Sequence, residues 1–126
     1  SRLEGITKQY GVGILATQST VDADPAHAFM KVDDVRVKGK ENPVAIYEPL
    51  GLGADLAESV RRDAADFEAA FARYRAQDWA AAEAALAALN HRAPRTLYDI
   101  YLERIAHFRV EPPPADWDGV FVYTTK

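Results

Sequence analysis

Cysteine is missing altogether from this 126-residue chain, which excludes a disulfide framework and a thiolate metal site and leaves a reducing compartment permitted. Long hydrophobic runs are missing too. No stretch approaches the roughly 20 apolar residues of a membrane helix, and no charged, then apolar, then small-residue pattern opens the chain as a signal peptide would. Positive charge is not in excess: the formal net charge of -4 gives no global attraction to nucleic acid or anionic lipid. There is no Gly-x-Ser-x-Gly nucleophile signature, and Gly11-Val12-Gly13 is too short for a phosphate-binding loop. His27, His91 and His107 share no metal-ligand spacing. What remains is 48% hydrophobic and 27% charged, the balance of a folded soluble domain rather than of a disordered segment.

The opening Ser1-Arg2-Leu3-Glu4-Gly5 has no initiator Met and reads as the end of a helix without a start signal, so the N-terminus is expected to be a cut. Leu3, Ile6 and Tyr10 recur at helical spacing, and Gly11 and Gly13 stop that helix. A buried strand is expected next, from Val12, Ile14, Leu15 and Ala16 into Thr17-Gln18-Ser19-Thr20. Asp22, Asp24 and Pro25 then suit the start of a short helical turn through Ala26-His27-Ala28-Phe29. Strands are predicted at 30–38, on Val32, Val35 and Val37, and at 44–48, where Val44 and Ile46 alternate with Ala45 and Tyr47. Between them Lys38-Gly39-Lys40-Glu41-Asn42-Pro43 has the chemistry of a hairpin turn.

Composition changes after Pro49-Leu50-Gly51-Leu52-Gly53, which reads as a linker; beyond it alanine dominates. Leu56, Val60, Ala64, Phe67, Phe71 and Tyr74 form one apolar stripe, predicting an amphipathic helix over 55–77. Trp79, Ala82, Leu86 and Leu89 repeat the pattern to about residue 90, behind Asp78 as N-cap. Leu97, Tyr101, Ile105 and Phe108 do so again after Pro94. Pro112-Pro113-Pro114 ends any helix, and Val120, Phe121, Val122 and Tyr123 predict a final extended segment over 117–125.

The clearest chemical signal is Val35-Arg36-Val37-Lys38-Gly39-Lys40 followed by Pro43-Val44-Ala45-Ile46-Tyr47. Such a turn presents two ammonium groups beside a glycine where a phosphate can approach the backbone; equally, it is a solvated turn kept soluble by lysines. Asp33 and Asp34, adjacent on a strand, would face opposite ways and cannot act as a metal-binding pair; they are expected to be solvated.

Ser1-Arg2-Leu3-Glu4-Gly5-Ile6-Thr7-Lys8-Gln9-Tyr10-Gly11, Ile14-Leu15-Ala16-Thr17 and the two stretches around the lysine turn together resemble the last third of a class III adenylate/guanylate cyclase domain, over about residues 1–50. The resemblance implies an α+β fold: the C-terminal part of a ferredoxin-like cyclase domain over 1–50, followed by a helical extension over 51–126. It also implies that Arg2 matches the arginine that stabilises the transition state and Lys38 the lysine that contacts the substrate's triphosphate. The asparagine that precedes this arginine in the family, and the two aspartates that bind two Mg²⁺ or Mn²⁺ ions, would lie before Ser1. ATP, or GTP, is the implied substrate, cyclised to the 3′,5′-nucleotide with release of pyrophosphate. Catalysis in the family takes place between two domains, so a homodimer is implied, and this segment by itself is expected to be inactive.

Trp79, Ala82, Leu86, Leu89 and Pro94 fall near the aromatic, small, large, small and proline places of a tetratricopeptide (TPR-like) hairpin. One such unit cannot bury its own face, so it is expected to pack on the cyclase part or on the third helix. The tail is also similar to the extension of bacterial cyclases that carry an extracellular CHASE2 sensor, which implies a cytoplasmic segment of a chain anchored in the inner membrane, with no membrane contact of its own. The helical tail is a stabilising cap or a docking site for a protein partner. The rival to an enzyme is a non-catalytic interaction module with a degenerate cyclase remnant.

Overall fold

The computed structural model describes residues 10–37 and 42–123. The fold is mixed α+β. Strand β1 (Ala16–Thr17), helix α1 (Gln18–Ala23) and strands β2 (His27–Val37) and β3 (Val44–Leu52) come first; a 3-10 turn (Gly53–Asp55), helices α2 (Glu58–Arg75), α3 (Trp79–Arg92) and α4 (Thr96–Val110) and strand β4 (Phe121–Tyr123) follow. The sheet runs β1-β3-β2-β4. The first two pairings are antiparallel, and β4 lies parallel to β2, with Val35 opposite Phe121 and Val37 opposite Tyr123.

The predicted hairpin is present and longer than expected, because β3 runs on through Pro49 to Leu52. The expected linker is therefore part of a strand. Register shifts after Ala28 and after Lys31 let the proline and Gly51 join the ladder without breaking it. The chain upstream differs more. The strand expected from Val12 to Thr20 contracts to Ala16–Thr17, and Ile14, placed in its core, is 66% exposed. Gln18 instead opens a helix, where its side-chain amide donates to Asp22 one turn on, at 2.9 Å. The helical turn expected through Phe29 is replaced by β2, which already begins at His27. Tyr10 is helical and Gly11 follows it with φ 68°, as a helix stop requires. A Cβ on Gly11 would lie 2.6 Å from Thr96 Cβ, so only glycine lets this turn pack against the start of α4. Residues 1–9, 38–41 and 124–126 lie outside the described residues, and with them most of the expected first helix, most of the expected hairpin turn and the end of the expected final segment.

The three long helices match their apolar stripes. Asp78 caps α3 by accepting the Ala81 amide, and Gln77 before it takes the left-handed conformation that reverses the chain after α2. The α2 stripe is buried at Phe67, Phe71 and Tyr74, whereas Val60 in its first turn is half-exposed. These helices share one apolar cluster with the sheet, joining Met30, Val32 and Ile46 to Phe67, Leu86, Leu97 and Tyr101. Burial of each such large side chain stabilises by roughly 1.5–3 kcal/mol. Around Tyr74 the rings of Tyr101, Trp79 and Trp117 stand edge-on at 4.9, 5.8 and 5.5 Å, the preferred aromatic geometry. No helix among the described residues is long and apolar enough to cross a membrane.

Candidate functional site

Arg2 and Lys38, the site residues expected from the sequence, both lie outside the described residues. What the structure does describe is the strand that leads to Lys38 and the groups that hold it. Val32, Asp33, Asp34 and Val35 are buried in succession, so β2 loses the alternation of a half-exposed strand at the register shift beyond Lys31. The expectation that Asp33 and Asp34 are solvated is thereby overturned. Helices and the C-terminal segment cover this stretch, and each carboxylate has its own cation.

Asp33 is fully buried. It accepts from Arg104 Nη1 at 2.8 Å and from the Tyr10 hydroxyl on one oxygen, and from the Asp34 amide at 2.9 Å on the other. Arg104 Nη2 also donates to the Tyr10 oxygen at 3.0 Å, closing a triangle of one carboxylate, one guanidinium and one phenol. The guanidinium carbon lies 3.8 Å from the Phe121 ring centre and 4.9 Å from that of Tyr101. Burial works against the charge on Arg104, but Asp33 heads the attractions that outweigh it and hold its pKa well above the ordinary arginine value. Tyr101 donates to the Val32 carbonyl; burial first, and the Asp33 charge second, push its hydroxyl well above the usual phenol range.

Asp34 faces a different set of partners. Its carboxylate pairs with Lys31 at 2.9 Å and with Arg75 of α2 at 2.5 Å, and Arg75 also donates to the Asp118 carbonyl at 3.0 Å. Asp118 then pairs through its own carboxylate with Arg36 at 3.0 Å. Its carboxyl is held below the usual range, chiefly by the Val120 amide and then by Arg36. With both Asp33 and Asp34 engaged by arginines, neither is disposed to hold a divalent ion. Among the described residues no group of three His, Asp or Glu side chains is arranged for one. His27 pairs with Asp24 at 2.7 Å, far along the chain from His91 and His107 on α3 and α4.

Beside this network a cleft of about 720 Å³ opens between α4 and the C-terminal segment, its wall including Glu103, His107, Phe108, Trp117 and Phe121. Sequence reasoning passed over Arg104 and Tyr10 as functional groups. A signal was available for the first: Arg104 falls three residues after Tyr101 and four before Phe108, on the face of α4 that the apolar stripe marks as inward. A cation at an inward position calls for a buried anion.

Over 52 residues the chain is 46% identical to an adenylate cyclase of Anabaena cylindrica, a stretch covering 38% of this chain and 10% of that protein. The chain thus spans about a tenth of the length of the curated relative it matches. A cyclase-related region is present on this ground. No family model matches the chain, and no solved structure matches it.

Proposed function

We propose that this chain is the C-terminal part of a class III nucleotidyl cyclase catalytic domain, residues 1–50, with a TPR-like helical extension over 51–126. The observation that carries the proposal is the 46% identity to an adenylate cyclase over 52 residues. The antiparallel β2–β3 pair supports it, because the Val37-Lys38-Gly39-Lys40 sequence falls at the end of β2 and before β3 along the chain.

In the parent chain Arg2 stabilises the charge that builds on the phosphoryl oxygens as the ribose 3′-hydroxyl attacks the α-phosphate and pyrophosphate leaves. A guanidinium suits that role because it gives up no proton. Lys38 holds the triphosphate, whose charge is already large in the ground state, with a point charge on a flexible stem. Asp33 and Asp34, engaged by arginines, do not fit the two Mg²⁺ or Mn²⁺ ions of such a reaction, and the resemblance assigns those ions to aspartates of the parent chain outside this segment. This segment alone is therefore inactive, and the site is completed by dimerisation of whole cyclase domains, on the cytoplasmic side of any membrane anchor in the parent chain.

The test is a cyclase assay on the full-length protein with ATP and with GTP, in Mg²⁺ and in Mn²⁺, comparing wild type with Arg2→Ala. The variant is expected to lose about 2–4 kcal/mol of barrier lowering, a fall in kcat of roughly 30- to 1,000-fold. An unchanged rate removes Arg2 from the mechanism. A wild type silent with both nucleotides favours the non-catalytic interaction module instead.

A further inference from the structure

We propose that the cleft between α4 and the C-terminal segment is a binding site for a small aromatic amine, a flat ring that carries an ammonium group. The proposal stands apart from the cyclase assignment and holds whether or not the parent chain is an enzyme.

The cleft holds about 720 Å³, within the range that encloses a small organic ligand. Two elements build its aromatic wall: Phe108 comes from α4, and Trp117 and Phe121 from the segment that ends in β4. Their places are fixed by packing outside the cleft. Phe108 and Trp117 stand 5.1 Å apart, and both rest on Tyr74, at 6.3 and 5.5 Å. Phe121 lies against the Arg104 guanidinium, 3.8 Å from ring centre to the guanidinium carbon. The segment is tied down at its start as well, where Gln77 donates to the Pro114 carbonyl at 3.0 Å. A wall of aromatic rings already in position takes a flat apolar ligand at little cost in ordering its own side chains.

Charge selects the sign of the ligand. Arg104 is part of the wall, but its side chain is only 7% exposed, and Asp33 and Tyr10 accept from its Nη1 and Nη2. Its charge is therefore met from behind by a buried carboxylate. Glu103 differs: it lines the same cleft, is exposed to solvent, and has no hydrogen-bond or ion-pair partner among the described residues. His107 follows four residues later, on the same face of α4, with its ring 5.6 Å from that of Phe108. An aromatic wall with one unmatched carboxylate beside it suits an ammonium group, which is attracted both by the anion and by the ring faces. A carboxylate or phosphate ligand would meet Glu103 as a like charge.

The experiment titrates the full-length protein by calorimetry at about pH 8, where imidazoles in general are neutral and aliphatic amines charged. Three probes share one indole ring: tryptamine is the cation, indole-3-propionate the anion, and N-acetyltryptophanamide a neutral stand-in for a tryptophan within a peptide. Tryptamine is expected to bind with a Kd on the order of 0.1–1 mM, about five-fold tighter than the amide and about ten-fold tighter than the anion. Glu103→Gln should bring tryptamine down to the level of the amide and leave the amide unchanged. Glu103→Lys should reverse the order of cation and anion. Because Glu103 is exposed and has no partner to lose, both variants are expected to fold as the wild type does. No heat from tryptamine at about 10 mM overturns the site. So does a tryptamine affinity that Glu103→Gln leaves unchanged. An amide that binds as tightly as the amine overturns the choice of ligand, and assigns the cleft to an aromatic side chain of a peptide instead.

Discussion

The strand half and the helical half of this molecule are held together by different physics. In α2 and α3 the interior is alanine, leucine and aromatic rings, with Ala70, Ala82, Leu86 and Tyr74 all buried. Charges there stay near the surface, as in the pairs Arg92–Asp63 and Arg109–Glu83. In β2 the interior holds two carboxylates, balanced by cations delivered from α2 and α4. The apolar half needs only that its stripes be covered. The charged half needs particular partners at particular distances, and removing one partner leaves the other buried and uncompensated.

The sharpest way to break this contrast is Arg104→Met, which strands the Asp33 carboxylate in the core. Stability to urea should fall by about 3–5 kcal/mol, and adding Asp33→Leu should recover a large part of that loss. If the single variant costs less than a core leucine truncation would, the network is not the keystone of the strand half. A smaller effect is expected where the halves meet, at Tyr101. Its phenol has a raised pKa in the folded protein, so its contribution is complete below the unfolded value near 10 and is lost as pH climbs above it. Tyr101→Phe is expected to flatten the alkaline side of the stability profile above about pH 10, and to cost about 1–2 kcal/mol at neutral pH by leaving the Val32 carbonyl unsatisfied. Smallest is Asp78→Ala at the start of α3, about 1 kcal/mol in thermal or urea unfolding, since it removes one cap and no packing.

The same division decides what could be read in advance. The helical boundaries lie within a few residues of their expected places, because a stripe at three and four and a capping aspartate are local signals. The hairpin was legible from its alternation and turn residues. The start of the chain was not: Val12 and Ile14 look like strand, yet β1 is short and Ile14 is mostly exposed. Beta pattern reports burial, and burial there depends on a neighbour that the local sequence does not name. Of the candidate site, Arg2 and Lys38 are expectations from the cyclase resemblance that lie outside the described residues, whereas Arg104 and Asp33, which the structure brings together, carried only a faint sign or none.

By itself, the sequence determined the elements whose stabilising contacts lie within a turn or a hairpin: α2, α3, α4 and the β2–β3 pair. The tertiary structure alone decided that Asp33 and Asp34 are interior, that Pro49 to Leu52 is strand rather than linker, and that β4 closes beside β2. The physical reason is range. A carboxylate is stable in the core only opposite its cation, and for Asp33 that cation stands 71 residues along the chain, beyond the reach of any local pattern.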